Sequence, residues 1–275
     1  MNKRFAFIGA GNMGGAIIEA VCRAVSPPDV LVYDKDKGKT EELSAKTGCR
    51  VMENALDAAA DAHFIFLCVK PNVISGALKE LSPVLKESAK EGENKVIVSI
   101  AAGVAKSAIK ETLAQQGIDL PVVRLMPNTP VAVGKGMILV SPDKELPQED
   151  LSVLLAALAP GGLTSIIEES YIDAATPVFS CSPAYVYMFI EALADGGVMA
   201  GVPRDKAQSF AAQAVLGAAA MVLETGKHPG QLKDEVCSPG GSTIVGVEQL
   251  EKSAFRSAVA SAVYEAYKKT ASLGK

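Results

Sequence analysis

Three stretches of this chain carry residue types that bind small anionic molecules. The first is Gly9-Ala10-Gly11-Asn12-Met13-Gly14. Gly9 permits a tight turn, Gly11 lets the backbone approach a pyrophosphate, and Gly14 lets a following helix pack closely on its strand. The N-terminus of that helix supplies free N–H groups and the positive end of its dipole. A bare glycine pattern is weak, and it gains specificity from a strand before it, a helix after it and an acidic residue about twenty positions on. Asp34 stands there. Its carboxylate would accept hydrogen bonds from an adenosine ribose and repel a 2′-phosphate, which favours NADH. Lys35 and Lys37 beside it would neutralise that phosphate and favour NADPH, unless they are simply solvated.

The second set lies at three further strand ends: Cys68-Val69-Lys70-Pro71-Asn72, Ser99-Ile100-Ala101-Ala102-Gly103 and Arg124-Leu125-Met126-Pro127-Asn128-Thr129-Pro130. Ligands bind at the carboxyl ends of strands in open α/β sheets. Lys70 there would meet a phosphate or ribose, or only water. Asn128 and Thr129 would face a nicotinamide, or serve as turn formers between prolines. The third set is Ser238-Pro239-Gly240-Gly241-Ser242-Thr243. Two glycines and three hydroxyl residues directly before a helix make either a cradle for a carboxylate or an ordinary capped helix start.

The elements that position these groups follow from hydrophobic patterning. Strands are expected at Phe5-Ile8, Val30-Tyr33, Phe64-Val69, Val96-Ile100, Val122-Met126 and Met137-Val140, with a short apolar run at Thr164-Ile167. Helices are expected at Gly15-Val25, Lys39-Lys46, Ile74-Lys86, Lys106-Gln116 and Gln148-Leu158. Strands that are apolar throughout, alternating with helices, predict a doubly wound parallel α/β sheet covered on both faces, a Rossmann domain over residues 1–168. From 169 to 275 the strand pattern stops. Pro183-Ala200, Arg204-Glu224, Lys233-Cys237 and Ser242-Ser272 predict an all-helical domain. Its small residues Ala211, Ala212, Ala214, Gly217, Ala218, Ala219 and Ala220 suit close helix approach. We expect this domain to hide an apolar face against a second copy, as a homodimer; an intrachain bundle is the alternative.

Composition narrows the functional classes. The chain has 275 residues, 49% hydrophobic and 21% charged, which suits a folded protein of about two domains. Its net charge of −4 argues against nucleic acid as a partner. Cys22, Cys49, Cys68, Cys181 and Cys237 are scattered and never in CxxC spacing, and His63 and His228 are the only histidines. That argues for a reducing compartment and against a metal centre. The Lys3-Arg4 start with Phe5-Ile8 imitates a secretory signal, but glycines interrupt it at once. Ala207-Leu223 carries Gln208, Ser209 and Gln213 and is read as too polar for a membrane span. A cytoplasmic protein with no membrane partner is expected.

The run Val236 to Glu251 resembles the signature of the pyrroline-5-carboxylate reductases. So do Phe7 to Gly14, Val69-Lys70-Pro71, Ala101-Ala102-Gly103, Met126 to Pro130, and Pro183-Ala184-Tyr185 through Glu191 to Gly197, all in order along nearly the whole chain. The resemblance implies a reductase that turns L-1-pyrroline-5-carboxylate, its small-molecule substrate, into L-proline with NADPH or NADH. It implies cofactor contacts by the Gly9 to Gly14 loop, Asn54, Val69-Lys70-Pro71 and Ala101-Ala102. It implies that Ser238, Gly241, Ser242 and Thr243 hold the substrate carboxylate, with the Thr243 hydroxyl near the ring nitrogen. Dimers, and in similar proteins rings of dimers, are part of the same expectation. Two departures stand out: Asp34, against a family that often prefers NADPH, and Phe179-Ser180-Cys181-Ser182, where the family usually has a glycine-containing turn.

Imine reduction suits these residues, because it needs hydride placement at about 3–3.5 Å. A protonated imine is already electrophilic, so an orienting hydroxyl replaces a strong general acid. Glu191 and Asp195, four apart on one helix, are read as solvated or helix-end residues. A β-hydroxyacid dehydrogenase would need a lysine on the first helices after the sheet, and none lies between Tyr171 and Gly201. A non-catalytic dinucleotide sensor is the other alternative.

Overall fold

The computed structural model describes residues 3–273. Its first unit runs β1 (Phe5–Ile8), α1 (Asn12–Ala24), β2 (Val30–Tyr33), α2 (Lys37–Thr47), β3 (Arg50–Val51), α3 (Ala55–Ala60), β4 (Phe64–Leu67), α4 (Ile74–Lys90), β5 (Val96–Ser99), α5 (Lys106–Ala114), β6 (Val122–Pro127), β7 (Gly136–Pro142), α6 (Gln148–Leu158), β8 (Gly162–Ile166) and α7 (Ile172–Thr176). The second unit is helical: α8 (Ser182–Met199), α9 (Arg204–Thr225), α10 (Pro229–Val236), α11 (Ser242–Lys252) and most of α12 (Phe255–Leu273), up to Lys268.

The eight strands form one sheet in the order β3-β2-β1-β4-β5-β6-β7-β8. Its first six positions are the Rossmann order, in which the chain reverses direction across the sheet between β1 and β4. Alternate side chains of the strands go to opposite faces. Phe5, Phe7, Val30, Val32, Phe64 and Phe66 pack with α1 and α6 on one face. Ala6, Ile8, Leu31, Ile65, Leu67 and Ile97 pack with α3, α4 and α5 on the other. Both faces are therefore covered, as continuous apolar strands require.

The sheet departs from an all-parallel reading at one place. β7 runs antiparallel to β6, because only a short 3-10 turn, Thr129–Val133, joins them, and a parallel crossover needs a dozen or more residues. β8 returns parallel to β7 after α6. Three small elements escaped the sequence patterning, among them the five-residue α7. β3 has two residues, both exposed, and α3 is an alanine run whose hydrophobic positions carry no clear period. The expected single helix Ser242-Ser272 is two helices, since Ala254 adopts φ 56 between α11 and α12 and ends the first.

The described part of the first unit continues to Ser180 and takes in the chain from Lys269, with Cys181–Lys268 as the second unit. Residues 169–180 therefore pack with the sheet. Arg124 on β6, 4% exposed, supplies the reason. Its Nη1 reaches Glu169 at 3.3 Å and its Nη2 reaches Asp173 at 3.3 Å. The same Glu169 carboxylate accepts the Lys106 N–H at 2.7 Å. Arg124→Ala leaves two carboxylates without their counter-ion. Both are partly solvated, so the expected loss of stability in urea unfolding is about 2–3 kcal/mol, below the cost for a fully buried pair.

Candidate active site

The glycine-rich loop follows β1 at the carboxyl edge of the sheet. Gly9 has φ 109, and a Cβ there would lie 2.6 Å from the Cys68 carbonyl oxygen at the end of β4. A Cβ on Gly14 would lie 2.8 Å from the Gly9 oxygen and 3.0 Å from the Cys68 Cβ. Both glycines are thus demanded by the close approach of β1, β4 and α1. Gly11 is different: its Cβ position meets no protein atom within 4 Å. It is the N-cap of α1 and offers no side-chain cap, so the first-turn N–H groups of Asn12, Met13 and Gly14 have no intrahelical acceptor. An open, uncapped helix start with room at Gly11 is what a pyrophosphate requires. The residues present fit a dinucleotide.

Asp34 lies half-buried beside this loop. Its Oδ2 accepts the Ala10 N–H at 2.6 Å and its Oδ1 accepts the Asp36 N–H at 2.9 Å. The carboxylate therefore ties the glycine loop to the β2–α2 turn. Next to it, Tyr33, Lys35, Lys37, Val51 and Met52 line a cleft of about 230 Å³. On the other side of the loop, Gly11, Asn12, Gly15, Glu19, Lys39 and Lys46 line one of about 370 Å³.

The remaining expected cofactor residues take different positions. Val69 is half-buried, and Lys70 and Pro71 are exposed past β4. Ala101 is buried, its N–H donating to Ser99 Oγ at 3.3 Å, and Ala102 is exposed beside it. Asn54 is the N-cap of α3, its Oδ1 accepting the Asp57 N–H at 2.8 Å. Asn128 is 7% exposed and committed at both ends of its amide. Its Nδ2 donates to the Phe179 carbonyl at 2.8 Å and its Oδ1 accepts the Met137 N–H at 2.8 Å. The unusual Phe179-to-Ser182 segment that Asn128 grips is a π-helical turn, Pro177–Cys181, leading into α8. Neither the Asn128 clamp nor the Asp34–Ala10 tether had a sequence signal, since each pairs a side chain with backbone remote along the chain.

In the second unit, Ser238 to Gly241 form a tight turn before α11, closed by the Gly241 N–H donating to the Ser238 carbonyl at 3.0 Å. Gly240 sits at φ 69, and a Cβ on Gly241 would lie 2.7 Å from Ser238 Oγ. Gly241 caps α11 without a side-chain acceptor, which makes the carboxylate-cradle geometry available and sets aside the capped-start alternative. Ser238, Ser242 and Thr243 are all exposed. Asp195 pairs with Arg204 on α9, in keeping with a helix-end rather than an acid–base role. Among the described residues no group of three or more His, Cys, Asp or Glu side chains could hold a metal.

Fold and loops together define a dinucleotide-dependent oxidoreductase with a helical second domain. Residues 169–273 match the family described as pyrroline-5-carboxylate reductase dimerisation, and residues 4–103 match that of NADP oxidoreductase, coenzyme F420-dependent. The chain is 42% identical to the pyrroline-5-carboxylate reductase of Escherichia coli over 100% of both chains. It is 30% identical to the crystal structure of Plasmodium falciparum pyrroline carboxylate reductase with NADP bound, with a TM-score of 0.84 and coverage of 100% of this chain and 99% of that one. It is 27% identical to a pyrroline-5-carboxylate reductase structure from Coxiella burnetii, with a TM-score of 0.90 over 100% of both. The chain belongs to the pyrroline-5-carboxylate reductase family.

Gly11→Ala distinguishes a ligand-facing glycine from a packing one. Because the new methyl meets open space in the protein, unfolding stability is expected to stay within about 1 kcal/mol. Dinucleotide affinity, read by nicotinamide fluorescence titration, is expected to fall tenfold or more.

Proposed function

We propose that this chain catalyses the NAD(P)H-dependent reduction of L-1-pyrroline-5-carboxylate to L-proline, the last step of proline biosynthesis. The observation that carries the reading is the Ser238–Thr243 loop. It combines an uncapped helix start with three hydroxyl groups, on a chain that aligns end to end with reductases of that name. The substrate carboxylate is held by the first-turn N–H groups of α11 and the hydroxyls of Ser238 and Ser242, with Gly241 leaving room for it. Thr243, one residue into the helix, turns its hydroxyl to the ring nitrogen and orients the imine. Protonation of that nitrogen makes the adjacent carbon electrophilic, so no strong acid is required of the protein.

A reduced nicotinamide, when bound, supplies the hydride. The Gly9-to-Gly14 loop would hold its pyrophosphate, with Val69, Lys70, Pro71, Ala101 and Ala102 at the neighbouring strand ends. Asp34 and Asn128 act on this site by fixing the backbone around it, and Asn54 by starting α3. Lys35 and Lys37 beside Asp34 leave both NADH and NADPH as substrates. Comparing the two in parallel by absorbance at 340 nm tests the assignment. Thr243→Ala is expected to lower kcat/KM at least tenfold, about 1.4 kcal/mol, with dinucleotide affinity unchanged. Dinucleotide binding without turnover in the wild type would favour the sensor reading.

The second unit functions as a dimer. Its buried apolar residues among those described are Ala194, Ala207 and Ala211, too little surface for a core of its own. Met188 at 69%, Phe210 at 63% and Leu223 at 74% exposure remain outside it. Against the expectation that Ala207-Leu223 is too polar for a membrane span, α9 is by length and composition long and apolar enough to cross one. We assign its apolar surface to a second copy, in the cytoplasm where the five free cysteines stay reduced, with rings of dimers as the larger assembly. Sedimentation equilibrium is expected to give a dimer or a multiple of it, and Phe210→Glu to shift the mass towards monomer.

A further inference from the structure

Glu169 has no part in the proposed reaction, yet it holds backbone beside the proposed site. The sheet order sets β2 on one side of β1 and β4, β5 and β6 on the other. With a pyrophosphate over the start of α1 and Asp34 marking the adenosine side at the end of β2, the nicotinamide half of a dinucleotide extends over the carboxyl ends of β4 and β5. The loop from β5 to α5, residues 100–105, lies there. Ala101 is buried, and Ala102 and Gly103 at its tip are exposed. The Ala101 N–H donates to Ser99 Oγ at 3.3 Å and the Val104 N–H to the Ala101 carbonyl at 3.5 Å, both at the long end of the hydrogen-bond range.

The firm attachment is at the far end of the loop. Ala105 caps α5 without a side-chain acceptor, so the first-turn N–H groups need one from elsewhere. Glu169 supplies it from the short turn Glu169–Tyr171 between β8 and α7. Its Oε1 accepts the Lys106 N–H at 2.7 Å, and the same oxygen accepts Arg124 Nη1 at 3.3 Å. Arg124 is aimed by Glu169 and Asp173 at the expense of its own Nε, which is buried without a partner. An orphaned buried donor is rare and marks a side chain whose placement other demands have fixed. Lys106 Nζ donates to the Pro142 carbonyl at 2.7 Å. The Lys106 side chain thus secures the residue to the end of β7, while its N–H sets the plane of the peptide that ends the loop.

We propose that Glu169 is a positioning residue for the reduction: through the Lys106 N–H it holds the 100–105 loop in the conformation that seats the nicotinamide half of the cofactor. The inference rests on the cofactor placement proposed above. A carboxylate accepting a backbone N–H is among the stronger hydrogen bonds, and it acts at the one point where the loop lacks a local acceptor. Hydride transfer is sensitive to displacements of about 1 Å. A loop released at Lys106 therefore costs turnover even though Glu169 acts only through backbone.

Binding of the whole reduced dinucleotide is compared with binding of the same molecule without its nicotinamide ring, ADP-ribose or 2′-phospho-ADP-ribose, alongside turnover and melting temperature. Glu169→Ala is expected to bind the whole cofactor at least about fivefold more weakly and to lose about tenfold in kcat, while binding the ring-less fragment within about twofold of wild type. Glu169→Gln keeps an acceptor for the N–H and loses the charge facing Arg124. It is expected to melt lower yet to recover most of the affinity and turnover, a separation that a purely structural role would not give. Lys106→Pro deletes the N–H and leaves Glu169 paired with Arg124. Proline suits the first helical position, and Ala105 before it, at ψ 152, is already extended. It is expected to reproduce the loss relative to Lys106→Ala, which keeps the N–H, and it decides the matter if Glu169→Ala fails to fold. Equal weakening of both ligands, no weakening of either, or a fall in Glu169→Gln as deep as in Glu169→Ala overturns the proposal, as does a wild type that binds no dinucleotide. A wild type that binds dinucleotide but reduces no pyrroline-5-carboxylate ends the reductase reading alone, and the binding comparison still decides the role of Glu169.

Discussion

The close passage of β1 past the end of β4 is the constraint on which the rest of the dinucleotide site depends. At Gly9 the backbone runs so near the Cys68 carbonyl that a methyl group cannot be accommodated. Beneath that turn the two strands are held by aromatic pairs in parallel register. Phe5 stacks on Phe64 with ring centroids 5.1 Å apart, and Phe7 on Phe66 at 4.4 Å. Such pairs add about 0.5–1.5 kcal/mol each beyond the area they bury. In a chain with only 8 phenylalanines and no tryptophan, the stacking is concentrated where β1 and β4 must not slip. A slip of one residue would send these rings to the opposite face and misaim α1.

Around that fixed point, polar side chains act mainly on backbone. Asp34 joins the glycine loop to the β2–α2 turn, Asn128 joins the end of β6 to β7 and to Phe179, and Arg124 anchors the 169–173 segment. Asn128 is satisfied at both ends of its amide, whereas Arg124 spends its two Nη atoms on the carboxylates and leaves its buried Nε without a partner. The opposite edge of the sheet is closed in the same way, with Lys3 and His63 both engaging Asp150 at the start of α6. Loops placed by such ties need little rearrangement on binding, which reduces the entropic cost of taking up a ligand.

The helical unit follows the opposite logic. Its apolar side chains lie largely outside its own small alanine cluster. Burial of those side chains by the proposed second copy would couple the stability of this unit to protein concentration. The Ser238–Thr243 loop sits between two of its helices, α10 and α11.

Much of this was legible in the chain itself. β1, β2 and α6 lie where hydrophobic runs and periodicity place them, because those patterns record which face of each element meets a core. The glycine spacing announced the turn at Gly9 and the opening at Gly11, since only missing side chains permit either. Family membership was legible for the same reason: the motifs are short, contiguous and in order. Tertiary structure alone decided the antiparallel β7, the break at Ala254, and which backbone groups Asp34 and Asn128 hold. These outcomes turn on which distant backbone group or side chain a residue meets, and local sequence patterns carry the period of an element but not the identity of its partner.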